Sequence, residues 1–176
     1  MRIGFCGTIS VGKTTLVNAL RELPEFADYE FRTERSKYLR DLGIPLNTDS
    51  TLKGQFVFFA ERSSELYLEN VITDRTVIDV MAFTRSAVSI PYYIADTINE
   101  AASHLLREYD YIFYVSPEGV ELEDNGVRTT DMEYRKEIDK EICKLIEKFK
   151  TKIPHFARLS GTTEERIEKL KRVIGI

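Results

Sequence analysis

The chain lacks any apolar run near the ~20 residues that a helix needs to cross a bilayer, so a membrane-spanning protein is not expected. It has only two cysteines and two histidines in 176 residues. They have no ligand-like spacing, which leaves a zinc site without its donors. Nine glycines and five prolines exclude collagen-like and low-complexity chains. Positive charge is not in excess: Lys+Arg 25 against Asp+Glu 29 gives a net charge of −4. A general nucleic-acid coat or a polybasic membrane binder is therefore disfavoured, although a local basic patch is not. Neither an internal repeat nor a Pro/Gly/Ser-rich linker divides the chain, so one domain over residues 1–176 is expected. The opening Met1-Arg2-Ile3-Gly4-Phe5-Cys6-Gly7 meets Gly, Ser and Lys too soon for a signal peptide. Cys6 lies in an apolar run and Cys143 on an apolar stripe, which reads as two small core residues in a reducing cytoplasm.

What is present is an alternation of strand and helix patterns, with 43% hydrophobic and 31% charged residues. A chain of this size buries roughly 70% of its unfolded surface, enough for an unstapled core. Strands are expected at Arg2–Cys6, Tyr29–Thr33, Val71–Asp74, Tyr111–Val115 and Phe156–Leu159. Helical patterns begin at Thr14 and run over Ser36–Leu42, Thr51–Glu69, Val80–Val88 and Tyr92–Glu108. A further helix follows the capping box Thr130-x-x-Glu133, with Ile138, Ile142, Leu145 and Phe149 as its stripe. Thr162-x-x-Glu165 caps the last, which carries Ile167, Leu170 and Ile174. Five strands interleaved with helices predict an α/β fold: a parallel sheet covered on both faces, with ligands at the carboxyl ends of its strands.

The most specific signal is Gly7-Thr8-Ile9-Ser10-Val11-Gly12-Lys13-Thr14, a full G-x-x-x-x-G-K-[ST] placed between a strand and a helix. Gly7 and Gly12 allow a loop whose amides, from Ser10 and Val11 onward, converge on phosphate oxygens. The following helix N-terminus strengthens that field. Lys13 reaches the β- and γ-phosphates, the Thr14 hydroxyl ligates Mg²⁺, and Thr15 adds a hydroxyl for the α-phosphate. The motif predicts a P-loop NTPase fold that binds ATP and magnesium.

Charged residues at the other strand ends point to phosphoryl transfer, since guanine-reading N-K-x-D sequences are absent. Asp74 and Arg75 end the third strand, where Asp74 can hold magnesium through water and Arg75 can hold an acceptor; a surface ion pair is the alternative. Glu34, in Arg32-Thr33-Glu34-Arg35, is a candidate general base, or one member of a solvated ion-pair cluster. Pro117–Thr130 is turn-rich and reads as a short lid, about residues 117–131. Its Arg128 can close over the triphosphate and exclude water, or pair with Asp124 or Asp131. Arg135, two turns into the next helix, is a second arginine for the acceptor or a partner of Asp131 or Asp139. Gln55 offers a donor–acceptor edge to a base. Phe59 reads as core, and Tyr92 and Tyr93 as packing residues rather than walls of an acceptor site.

Gly7 to Thr15, Thr33-Glu34-Arg35, Asp74-Arg75-Thr76, and Gly126-Val127-Arg128 with Asp131 and Tyr134-Arg135 together resemble nicotinamide-riboside-kinase-like P-loop proteins. That group is related to deoxynucleoside and thymidylate kinases. Ser160-Gly161-Thr162 with Glu165-Arg166 resembles its last strand-to-helix loop, near the adenine, which implies a nucleotide contact at Gly161. The resemblance implies transfer of the γ-phosphoryl of ATP to a nucleoside, nucleotide or related small molecule. Glu34 then stands where relatives carry the base, and Asp74-Arg75 where they carry an acidic–Arg pair. The lid has a single arginine, fewer than many nucleotide kinases. Expected partners are a small-molecule acceptor and no membrane; a homodimer is compatible with the chain. A hydroxymethylated pyrimidine in DNA is an alternative acceptor, and a non-catalytic ATP-binding module an alternative role.

Overall fold

The computed structural model describes residues 1–33, 36–120 and 132–176, with the side chain at position 37 left aside. The strands are β1 (Arg2–Cys6), β2 (Glu30–Arg32), β3 (Val71–Asp74), β4 (Tyr111–Val115) and β5 (Phe156–Leu159). The helices are α1 (Lys13–Arg21), α2 (Ser36–Asp41), α3 (Leu52–Glu65), α4 (Val77–Ser86), α5 (Tyr92–Ala102), α6 (Met132–Phe149) and α7 (Thr163–Ile174).

The five strands form one sheet in the order β2-β3-β1-β4-β5, and every pairing is parallel. The central strands explain why. Ile3 and Phe5 of β1, with Phe113 and Val115 of β4, pack on one face against Leu16, Val17 and Leu20 of α1 and Leu170 of α7. Cys6, Ile112 and Tyr114 pack on the other against Ile78 and Met81 of α4 and Ile138, Ile142 and Leu145 of α6. Both faces of the same strands are apolar, the pattern of a parallel sheet covered on both sides. Phe5 registers against both Asp74 and Phe113, so the ends of β1, β3 and β4 lie at one edge. The P-loop kinase fold expected from the sequence is the fold observed.

Several boundaries differ from the sequence reading. α4 begins at Val77 rather than Val80, because Thr76 and Asp79 close a capping box there. The Tyr92–Glu108 pattern is split: α5 ends at Ala102 and Ser103–Glu108 winds as 3₁₀-helix. The Ser103 hydroxyl donates to the Glu100 carbonyl at 2.6 Å and accepts from Lys152 at 2.6 Å. α3 starts after Thr51, whose hydroxyl caps the Gly54 N–H at 3.2 Å, and stops at Glu65 instead of Glu69. The Thr162–Glu165 capping box is present, while Thr130 lies outside the described residues.

Two burial expectations are corrected. Cys6 is buried but Cys143 is exposed. The inward stripe of α6 is Ile138, Ile142, Leu145 and Phe149, and Cys143 sits one residue, about 100° of helical rotation, past it. Tyr92 and Tyr93 are 65% and 69% exposed rather than core; they open α5 immediately after Pro91, and Tyr92 packs against the Arg85 guanidinium, 4.2 Å from its ring centre. Phe59 is core as expected. Among the described residues no helix is long and apolar enough to cross a membrane.

Candidate active site

β1 delivers the chain into the loop between Gly7 and Gly12. Gly7 sits at φ +151°, and a Cβ there would lie 2.6 Å from the Val115 carbonyl oxygen, so no larger residue fits. Ser10 and Gly12 also take positive φ, +53° and +81°, curling the backbone before α1. Lys13 is 6% exposed, and its Nζ turns back on the loop to donate to the Gly7 and Thr8 carbonyls, both at 2.7 Å. Thr15 is exposed on the first turn of α1.

Beside the loop, the Thr14 hydroxyl donates to Asp74 Oδ2 at 2.5 Å. Asp74 is only 1% exposed, and its Oδ1 has no partner among the described residues. A buried carboxylate oxygen without a donor is costly, whereas a hard divalent cation takes just such an oxygen together with a hydroxyl. Thr14 and Asp74 therefore fit magnesium.

Arg75 follows in a strained backbone, φ +128°, of the kind that persists when its surroundings enforce it. Its guanidinium is buried, lies 4.9 Å from the centre of the Phe83 ring, and is 3.9 Å from Asp79 Oδ1. The Asp74–Arg75 pair is thus interior, not a surface ion pair. Asp79 joins the two halves of the site. Its Oδ1 accepts the Gly7 N–H at 3.2 Å, and its Oδ2 accepts the Thr76 N–H at 2.8 Å and hydroxyl at 3.1 Å. The sequence reading missed it. The available signal was Thr76-x-x-Asp79, a capping box spelled with Asp.

A cleft open to solvent brings Arg75 and Gln55 together with Ile9 of the loop, Ser36, Phe58 and Phe83. Gln55 is 2% exposed and accepts the Thr84 hydroxyl at 3.3 Å. The cleft thus places two side-chain amides, Gln55 and Asn47, one guanidinium and aromatic rings against the phosphate loop.

Arg135 lies on the other side. Its Nη2 donates to the Ser10 carbonyl at 3.2 Å and its Nη1 to the Val120 carbonyl at 2.9 Å, while its own carbonyl accepts the Thr8 hydroxyl at 2.8 Å. Burial lowers its pKa and the Asp139 carboxylate works against that shift. Arg166 donates to the Val11 carbonyl at 2.8 Å; nothing in the sequence reading placed it under the phosphate loop. Gly161 is exposed at φ +87°, where a Cβ would meet Glu165 Oε2 at 2.0 Å. Cys6, behind the loop, is held protonated by burial and then by the Asp79 charge, which together outweigh Lys13. Glu34 and Arg128 lie outside the described residues.

The family model described as AAA domain matches residues 2–166. Among solved structures, deoxyadenosine kinase from M. mycoides with bound dATP aligns over 100% of both chains, with TM-score 0.67 and 18% identity. The same kinase with dCMP and dCDP aligns over 99% of this chain and 98% of that one, at TM-score 0.68 and 18% identity. The NadR protein in complex with NAD and AMP-PNP aligns over 99% of this chain and 49% of its own, at TM-score 0.68 and 16% identity. At these identities the likeness is one of fold. No match is found among curated proteins.

Proposed function

The chain belongs to the AAA domain family, and from that premise we propose that it is an ATP-dependent phosphotransferase acting on a nucleoside, nucleotide or related small molecule. The observation that carries this is the meeting of two half-sites. A phosphate loop with its lysine and a hydroxyl–carboxylate pair opens beside a cleft holding Arg75, Gln55 and aromatic rings. A nucleotide switch needs the first half; the second suits an acceptor.

On the donor side, the loop amides and Lys13 bind the triphosphate. Lys13 exchanges its two carbonyl partners for β- and γ-phosphate oxygens. Thr14 and Asp74 would hold a magnesium ion, which would supply positive charge to offset that of the phosphates. Gly161 serves the purine end, and Arg135 serves from the loop side, where it holds the Ser10 carbonyl.

On the acceptor side, Gln55 and Phe58 receive a planar base and Arg75 orients the reacting group. Glu34 takes the proton of an acceptor hydroxyl as that oxygen bonds to the γ-phosphorus. The bond from phosphorus to the β–γ bridging oxygen breaks, and ADP leaves. Arg128 closes the site and stabilises the charge that spreads over the transferred phosphoryl group.

The test is incubation with labelled ATP and a panel of nucleosides, nucleoside monophosphates, nicotinamide riboside and hydroxymethylated duplex DNA. Label is expected on a small-molecule acceptor. ATP binding without label on any of them would reduce the protein to a nucleotide-binding module.

A further inference from the structure

Arg166 stands in the first turn of α7, does not line the acceptor cleft, is 3% exposed and reaches the phosphate loop. Its Nη1 donates to the Val11 carbonyl at 2.8 Å. The loop closes around it: a Cβ on Gly12 would sit 3.1 Å from the same nitrogen. Nε and Nη2 have no partner among the described residues. Burial lowers its pKa, with no opposing carboxylate among them. Arg135, its counterpart on the Ser10 carbonyl, has Asp139 as a countercharge. Among the described residues Arg166 is thus a buried cation with one hydrogen bond and no anion.

Two physical arguments give this arrangement a purpose. A peptide unit is planar and trans, so its carbonyl and the following N–H point in opposite directions. Holding the Val11 carbonyl on α7 turns the Gly12 N–H to the far side of the loop. Secondly, an uncompensated buried charge is expensive, and a neutral donor would cap one carbonyl more cheaply. The cation is worth keeping where a bound anion completes it.

We propose that Arg166 is a positioning residue for the polyphosphate: it aims the Gly12 amide into the phosphate cradle and supplies a buried charge that the bound phosphates balance. This rests on the nucleotide-binding reading above. It makes α7 part of the donor site through the backbone, without a direct ligand contact.

The experiment is calorimetric titration of the full chain with magnesium tripolyphosphate and with Mg·ATP, alongside thermal unfolding of the free proteins. Arg166→Gln keeps a neutral donor; Arg166→Lys keeps the charge. Arg166→Gln is expected to weaken both ligands about 10- to 100-fold, the effect of removing one unit charge that lies several ångströms from the bound phosphates. Its free Tm should be no lower than that of the parent, and Arg166→Lys should restore most of the binding. Parental binding by Arg166→Gln overturns the proposal. So does equal loss in both variants with a matching fall in Tm, which would mark a purely structural brace. Should neither variant fold, the parent protein decides: the Gly12 amide resonance must move downfield on adding tripolyphosphate, and a stationary resonance overturns the idea. Failure of the parent protein to bind either ligand would instead remove the nucleotide-binding reading itself.

Discussion

Replacing Asp74 by Asn separates stability from function. Asp74 is 1% exposed, bound on one oxygen by Thr14 at 2.5 Å and unpartnered on the other among the described residues. Asn has the same shape and also leaves one polar atom unpaired, so the change is essentially one of charge. Turning a charge-assisted hydrogen bond into a neutral one costs roughly 1 kcal/mol. Relieving the desolvation of a buried carboxylate returns as much or more, up to several kcal/mol. The free protein should therefore keep or gain up to about 2 kcal/mol, a Tm unchanged or raised by up to ~6 °C for a chain of this size. Phosphoryl transfer should fall by about 10²–10³-fold, as when one preorganised electrostatic contact is lost, and raising magnesium should recover part of it. The assays are scanning calorimetry of the free protein and ADP release at graded magnesium. Undiminished transfer together with a Tm drop beyond ~8 °C would show Asp74 to be a structural anchor, and the reasoning would fail.

Gly161→Ala tests the backbone at the mouth of α7 through stability, read on the free protein apart from any loss at the purine end. The residue sits at φ +87° with Glu165 Oε2 only 2.0 Å from a new Cβ, so the substitution adds left-handed strain and breaks the α7 cap. Together these cost roughly 2–3 kcal/mol, a Tm fall of about 5–10 °C; an unchanged Tm would refute the strain. Glu34→Gln should lower kcat by at least ~10²-fold while leaving ATP affinity nearly intact; parallel loss of both would make Glu34 a binding or structural residue. Arg128→Ala should slow transfer and increase the share of ATP hydrolysed without transfer. Unchanged kinetics would return Arg128 to the surface.

What the sequence made legible was local. Ile3, Phe5 and Cys6 and the uninterrupted Tyr111–Val115 run announce strands buried on both faces, and G-x-x-x-x-G-K-T states its own loop geometry. What it concealed depends on tertiary approach. Asp79 reads as an ordinary buried-helix residue until β1 brings the Gly7 N–H to it at 3.2 Å. Glu165-Arg166 resembles a loop near the adenine, and only the packing of α7 beside α1 brings Arg166 to the Val11 carbonyl. The positive φ of Arg75 has no sequence signal, and its guanidinium meets Asp79 and Phe83 only once α4 is packed beside β3. Cys143 failed for a simpler reason: neighbours of a stripe residue look apolar in one dimension and face outward in three.

Isothermal titration with a magnesium purine triphosphate tests most directly whether the loop from Gly7 to Thr14 grips a polyphosphate. The full chain should release saturable binding heat, and Lys13→Ala, which loses the ammonium now held by the Gly7 and Thr8 carbonyls, should bind far more weakly with its fold retained. Equal heats from the two proteins, or none from either, would contradict that grip.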